Sequence, residues 1–240
     1  MYFFGTEKHL TKLFDWCLDW VWPRYCLGCW KEGEWVCGDC LKEKIITDTN
    51  FCCPECRLEN GNGGVCVNCR AKWNLDHLLV ACCPTELLRE ILLQYKYKDI
   101  YRLTDVLAFF LTKKLDKVGE KYDCVTFVPL HSKRERWRGY NQSAILAKIL
   151  AKNYNIAFAK IMYRWRFGSP QVNFDRVGRK KNVEGVFAMM KKMDLSGKKI
   201  LVVDDVCTTG ATINECARIL KENGAEQVDG LVVVRGTMKK

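Results

Sequence analysis

Residues 199–220 read KILVVDDVCTTGATINECARIL, and few folds accommodate that order of residue types. The run KILVV is short, apolar and rich in β-branched residues, as a strand buried on both faces requires. Two adjacent carboxylates, Asp204 and Asp205, end it. A turn of small and hydroxyl residues follows, Cys207, Thr208, Thr209, Gly210, Ala211 and Thr212, and then a helical pattern. Free amides at the helix start, aided by the macrodipole, attract a phosphate. Gly210 lets the backbone curl closely around it, and the hydroxyls of Thr208, Thr209 and Thr212 can donate to its oxygens. The carboxylates repel a phosphate but suit the hydroxyls of a sugar attached to it. The string therefore predicts a sugar 5′-phosphate site. An ordinary strand–turn–helix with threonine caps accounts for TTGAT but not for the whole string. Cys207, at a helix start, could carry an acidified thiol; a small residue at a permissive loop position is the plainer reading.

The surrounding pattern agrees with a buried strand. Residues 75–83, 122–130, 199–204 and 227–234 read as strands. Residues 85–97, 100–117, 142–152 and 211–223 read as helices. Apolar strands alternating with helices predict an α/β fold, a parallel sheet covered on both faces. Ligands in such sheets bind at the carboxyl ends of the strands.

A second anion site is expected at VPLHSKRERWRGYNQ. The strand closes at Leu130, and the turn after it carries His131, Ser132 and Lys133, then Arg134, Arg136 and Arg138. A turn in that position suits a pyrophosphate group. For His131, local hydrogen bonding is the plainer reading and catalysis the sharper one. Downstream, QVNFDRVGRKKNVEGVF is polar and basic, as a mobile anion-capturing loop or a solvated charged hairpin would be.

Residues 23–72 are organised differently. They hold Cys26-x2-Cys29, Cys37-x2-Cys40, Cys53-x2-Cys56 and Cys66-x2-Cys69, among 15 cysteines in the chain. Each pair can offer two thiolates to one ion, and two pairs complete a tetrahedral site. Sequential pairing is the simplest, with Cys26, Cys29, Cys37 and Cys40 in one site and Cys53, Cys56, Cys66 and Cys69 in the other; a crossed pairing stays open. The spacing favours zinc over disulfides or an iron–sulfur cluster. Four thiolates leave no open position, so both zinc ions would be structural. Binding worth about 10 kcal/mol would supply the folding energy this thin segment lacks. Cys82, Cys83, Cys124 and Cys216 lie in apolar elements and read as core.

Residues 1–22 predict an amphipathic helix. Leu10, Leu13, Phe14, Cys17, Leu18 and Val21 mark one face, with Trp16 and Trp20 on another, and Pro23 closes it. A helix docked on the chain's own core or on a partner subunit is the plainer reading. A membrane-surface helix lacks the basic polar face it needs, because Glu7, Asp15 and Asp19 offset Lys8 and Lys12. No secretory leader or membrane span is readable, so the expectation is a cytoplasmic protein, not an integral membrane one. The formal charge of +11 points to an anionic ligand. Eight thiolates holding two zinc ions would lower it to about +7.

The strand–Asp-Asp–TTGxT–helix string resembles the signature of type I phosphoribosyltransferases. The resemblance implies that Asp204 and Asp205 hold the ribose 2′ and 3′ hydroxyls as the catalytic pair, and that Cys207 to Thr212 cradle the 5′-phosphate of phosphoribosyl pyrophosphate (PRPP). Magnesium would bridge ribose hydroxyls and pyrophosphate, while His131, Ser132, Lys133, Arg138 and Arg179 would serve the pyrophosphate. Lys96–Tyr97, Arg138–Gln142, Gln171, Arg179, Asn182, Gly185, Phe187 and DDVxTTGxT narrow the resemblance to the ComF family (ComFC/GntX-like). Its members join a double zinc-ribbon domain to a phosphoribosyltransferase domain, here residues 23–72 and 73–240 after the N-terminal helix. Val172, Phe174 and Gly168 depart from the family pattern in the basic segment.

Two functions follow. The ComF resemblance implies a PRPP-binding protein that handles incoming single-stranded DNA in natural competence, with competence-machinery proteins at the inner membrane as partners. Arg134, Arg136, Trp137, Arg138 and Tyr140 are its nucleic-acid candidates, joined by Arg164, Arg166, Arg179, Lys180 and Lys181 among Tyr163, Trp165 and Phe174. The alternative is an active phosphoribosyltransferase of nucleotide metabolism, amidophosphoribosyltransferase-like or directed at a base. Few residues follow the last strand, so the zinc domain and the N-terminal helix are expected to cover the site.

Overall fold

The structure is a computed structural model that describes residues 23–48, 50–97, 103–166, 185–191 and 193–236. The expected N-terminal helix lies outside the described residues, as do Gly168, Gln171, Val172, Phe174, Arg179, Lys180, Lys181 and Asn182.

Five parallel strands form the main sheet in the order β1-β7-β6-β2-β3. They are β1 (His77–Cys82), β2 (Cys124–Phe127), β3 (Ala157–Phe158), β6 (Lys199–Cys207) and β7 (Gln227–Arg235). A separate antiparallel pair, β4 (Met162–Arg164) and β5 (Phe187–Met189), lies outside it. The centre is β6 and β7, whose residues are apolar on both sides because both sides are covered. Side chains alternate between faces. Leu201, Val203, Leu231 and Val233 pack with α2 (Glu86–Tyr97), α3 (Leu103–Val118) and α5 (Gln142–Tyr154). Ile200, Val202, Val228 and Val232 pack with α6 (Ala211–Glu222) and the β4–β5 pair. Gly230 lets α6 sit close, since a Cβ there would lie 2.7 Å from Ile213 Cδ1. Among the described residues no helix is long and apolar enough to cross a membrane.

The strands at 75–83 and 122–130 are shorter than the apolar runs suggest, and β6 continues through both carboxylates to Cys207. The turn expected after Leu130 is a short helix, α4 (Ser132–Arg138), which ends at Gly139 in the left-handed conformation, φ 74°.

The cysteine-rich segment contains a structural repeat. Tyr25 bridges Glu32, and Cys52 bridges Glu59. Cys26 N–H donates to Lys31 O at 2.9 Å, and Cys53 N–H to Leu58 O at 2.9 Å. Trp30 and Arg57, each just after a knuckle, are both left-handed at φ 64°. In each half the next cysteine pair starts a short helix, α1 (Gly38–Glu43) after Cys37 and a 3-10 helix (Val67–Lys72) after Cys66. The link between the halves runs antiparallel to β1, with Thr47 opposite Cys82. Buried Lys114 holds it by donating to Asp48 O at 3.0 Å and Asn50 O at 3.1 Å.

Candidate functional site

Asp204 and Asp205 lie towards the carboxyl end of β6. Phe127, the last residue of β2, pairs with Val203, so the segment leaving β2 runs level with Asp204. Asn141 caps α5 and donates through Nδ2 to Val128 O at 3.2 Å, which brings the start of α5 to the carboxylates. Ser143 Oγ then donates to Asp204 Oδ1 at 2.8 Å, and Asp205 N–H to the same oxygen at 2.9 Å. Lys96, near the end of α2, pairs with Asp205 Oδ2 at 2.9 Å. Burial, and then the neighbouring Asp205 carboxylate, raise the Asp204 carboxyl to about 7; the Ser143 hydroxyl and Lys96 oppose that rise. The pair is thus a carboxylate site short of positive charge.

The turn completes the site. Gly210 stands at φ 80°, ψ −2°, directly before α6, and no side chain caps the helix. Apart from the long bond of Ala211 N–H to Thr209 Oγ1, no side chain among the described residues accepts from its first amides, which suit an anion. Thr208 is exposed and Thr212 half-buried, while Thr209 Oγ1 accepts from Ala211 N–H at 3.4 Å. Cys207 is buried, and burial raises its thiol to about 11 although Arg235 and Arg57 pull the other way. It is a packed small residue here, not an activated nucleophile.

The basic residues gather on and around α4, which follows β2. His131 caps α4, accepting at Nδ1 from Lys133 N–H at 3.2 Å. Partial burial, then Arg164, Lys133, Arg134 and Arg136, hold its imidazole below the ordinary value. A backbone bridge to Arg164 ties the β4–β5 pair to this corner. Arg138 Nη1 donates to Gln142 Oε1 at 3.3 Å, and Arg138 Nε and Gln142 Nε2 are buried without hydrogen-bond partners among the described residues. Those donors can take oxygens of an anionic ligand. Ser132, Arg136 and Trp137 face outward. Tyr140 turns inward, its hydroxyl donating to Tyr95 O at 2.7 Å. Tyr97 takes the outward place, edge-on to Trp137 at 6.1 Å with the Arg138 guanidinium over its ring at 5.2 Å.

The eight cysteines form two groups, Cys26, Cys29, Cys37 and Cys40, and Cys53, Cys56, Cys66 and Cys69, with the sulfurs of each within 4.8 Å of one another. Cys29 and Cys37 sulfurs are 3.6 Å apart, and Cys56 and Cys66 sulfurs 3.7 Å. Sulfurs at about 2.3 Å from a tetrahedral ion would be about 3.8 Å apart, so the donor sets fit. Amides of Gly28 and Cys37 point at Cys26 Sγ, and the Cys66 amide at Cys53 Sγ. Burial works against ionisation of Cys26 and Cys53, but these amides outweigh it and bring each thiol down to about 6. Cys40 is pushed up to about 12 by burial and then by its neighbouring sulfurs, and Cys69 to about 12 by Cys66 and then burial. Four adjacent thiolates cannot all ionise without a cation, and each group could hold one metal ion. All described cysteines are free.

Sequence reading passed over two residues of the carboxylate site. Ser143 directly follows the RGYNQ block, and Lys96 opens the Lys-Tyr pair; adjacency to those motifs was the available signal. Arg179 lies outside the described residues.

A parallel sheet with a carboxylate pair and a glycine-shaped turn at the end of a central strand defines a phosphoribosyltransferase-type domain. The family model described as phosphoribosyl transferase domain matches residues 141–240. Over 203 residues the chain is 30% identical to competence protein ComFC of Streptococcus pneumoniae, covering 85% of this chain and 82% of that protein. It is 26% identical over 219 residues to competence protein ComFC of Bacillus subtilis, covering 85% and 86%. It is 26% identical over 207 residues to DNA utilization protein YhgH of Escherichia coli, covering 82% and 88%. The chain belongs to the ComF family.

Proposed function

We propose that this protein binds PRPP with magnesium at Asp204 to Thr212 and serves DNA uptake by handling incoming single-stranded DNA in the cytoplasm. The observation that carries the reading is the pair Asp204–Asp205 followed by left-handed Gly210 at the uncapped start of α6. Asp204 and Asp205 take the ribose hydroxyls, with Ser143 and Lys96 fixing their orientation. The α6 amides and the hydroxyls of Thr208, Thr209 and Thr212 take the 5′-phosphate. Lys133 and Arg138 take the pyrophosphate, with His131 and Ser132 beside them; Arg179, expected in the same role, lies outside the described residues. Magnesium, when bound with PRPP, neutralises the pyrophosphate next to the ribose hydroxyls. In a transfer reaction the bond from C1 to pyrophosphate breaks, and the two carboxylates stabilise the cationic sugar through position and charge. The two four-cysteine groups hold structural zinc, which suits a reducing compartment.

The DNA role draws on the competence and DNA-utilization names of the relatives. The exposed rings of Tyr97 and Trp137 beside the half-buried Arg138 support it, because stacking on aromatic rings beside cations suits single strands of any sequence. Competence-machinery proteins at the inner membrane are the partners this role implies. A second reading, an active phosphoribosyltransferase that is amidophosphoribosyltransferase-like or base-directed, draws on an apolar cleft. Leu88, Leu92, Val206 and Val234 line it next to Lys96, where a flat acceptor could lie.

Calorimetric titration with PRPP and magnesium tests the first reading. Asp204→Asn/Asp205→Asn should weaken binding by about tenfold or more; equal affinity would remove the proposed site. Pyrophosphate release across candidate acceptors separates the readings, since binding without release favours the DNA role. Binding to single-stranded DNA should fall with salt and be lost in Arg136→Ala/Arg138→Ala; a variant that still bound would remove the platform from the account.

A further inference from the structure

The second four-cysteine group reaches the turn after β6 through one side chain. Trp73 is buried and lies over Gly210; a Cβ built on Gly210 would come within 2.3 Å of its Cη2. The indole Nε1–H donates to Glu55 Oε2 at 2.8 Å, and Glu55 lies inside the Cys53–Cys56 knuckle. The carbonyl of Pro54, in the same knuckle, accepts from the Arg235 guanidinium at the end of β7. Arg235 pairs with Cys207, whose carbonyl accepts from Gly236 N–H at 2.8 Å. On the other side, Asn214 of α6 accepts through Oδ1 from Asn74 N–H at 2.7 Å and Leu75 N–H at 3.3 Å, the residues after Trp73. The turn is thus enclosed by the knuckle, the end of β7 and the indole.

We infer that Trp73 is the positioning residue of the phosphate turn and that the second four-cysteine group acts on the turn through it. This rests on the reading that the turn takes the 5′-phosphate of PRPP. A glycine reaches left-handed and right-handed conformations about equally, so Gly210 permits the turn without fixing it. The indole against its Cα supplies the missing constraint. Only in that shape do the α6 amides converge on one anion. A filled cysteine group fixes Glu55, Glu55 fixes the indole, and the indole fixes Gly210. Among the described residues the first group has no such link: a Cβ on Gly28 would meet Cys40 and Leu87 instead.

The test uses the metal-loaded full chain as wild type, Trp73→Phe, Glu55→Gln and the double variant. PRPP with magnesium, ribose 5-phosphate and inorganic pyrophosphate are titrated separately. Trp73→Phe should weaken PRPP and ribose 5-phosphate about tenfold, with pyrophosphate unchanged, because only the turn loses its preorganisation. Glu55→Gln should do so less, and the double variant should equal Trp73→Phe, since both act through one hydrogen bond. Equal losses for ribose 5-phosphate and pyrophosphate, or no loss for either, would overturn the proposal. Amide exchange at residues 208–212 in the ligand-free protein gives a separate readout. It should rise in Trp73→Phe and Glu55→Gln but not in Lys44→Met, which alters a contact of the first group. A wild type that bound neither PRPP nor ribose 5-phosphate would end the PRPP reading, while unchanged exchange at 208–212 would end the coupling itself.

Discussion

In both four-cysteine groups a knuckle closes on a left-handed residue and a second cysteine pair starts a short helix, yet the two groups touch different things. Around the first, Cys26, Val36, Cys37, Cys40 and Ile45 belong to the same core as Leu79, Leu88 and Leu107. Around the second, Cys53 is buried, Cys56 is exposed, and Cys66 and Cys69 are half-buried. Its outward links are polar or aromatic, through Glu55, Pro54 and Trp73, and they lead to the turn after β6. A repeated metal-binding unit therefore takes its role from its outer surface rather than from its ligands. One copy completes a core, and the other supports a binding turn.

The largest test of that contrast removes one ligand from each. Cys40→Ser should cost the first group its metal and open the core above α2 and α3. Structural zinc worth about 10 kcal/mol is comparable to the whole stability of a domain, so the chain should lose its cooperative melting transition. Cys69→Ser should leave the sheet folded and lose PRPP affinity. Thermal melting followed by circular dichroism, with metal content measured in parallel, checks both. Equal melting losses in the two variants would erase the distinction.

A smaller effect comes from two glycines in matching roles. At Gly28 a Cβ would lie 2.7 Å from Cys40 Sγ, without a left-handed backbone to consider; at Gly210 it would strike Trp73, and φ is 80°. Gly28→Ala should act through the first metal site, lowering its retention against a chelator. Gly210→Ala should keep both metals but cost about 3 kcal/mol in denaturant unfolding, from left-handed strain plus overpacking. A Gly210→Ala protein that released metal before it lost stability would reverse the order of cause proposed for Trp73.

Much of this contrast was not legible in the sequence. The alternation of Ile200 and Val202 with Leu201 and Val203 marked β6 as a strand covered twice, and the turn after it carried its own chemistry in consecutive residues. The cysteine spacing was equally local. What escaped were contacts between distant segments. Trp73 over Gly210, Ser143 on Asp204 and Lys96 on Asp205 join residues far apart in the chain, and no periodicity or composition pairs them. The helix α4 escaped because its residues, SKRERWR, are polar apart from Trp137 and show no apolar face. Tyr140 was a nucleic-acid candidate among the arginines; its hydroxyl found a carbonyl acceptor inside, a matter of tertiary geometry that composition does not encode.

The smallest expected effect reaches the second group from the other end of the sheet. Asp229 is buried and saturated: His77 N–H donates to it at 3.1 Å, Tyr122 Oη at 2.8 Å and Gln227 Nε2 at 2.7 Å, and His77 Nδ1 lies 2.8 Å from Oδ1. His77 also bridges Gly64, in the segment leading to Cys66. The hydrogen bond to Asp229 raises the imidazole above its ordinary 6.5, against the opposing effect of burial. The native state then holds the proton more tightly than the unfolded state. The stabilisation is complete below about pH 6.5 and is lost as pH rises through the raised value. His77→Gln should therefore cost about 1 kcal/mol near pH 6 and much less near pH 8.5. Metal retention should rise with pH in both groups, because thiols ionise to bind, but less in the second than in the first, because the imidazole borders the Gly64 segment that leads to Cys66. A gap between variant and wild type that stayed constant with pH would show that the neutral imidazole supports Asp229 equally well, and the second group would lose its pH-dependent anchor.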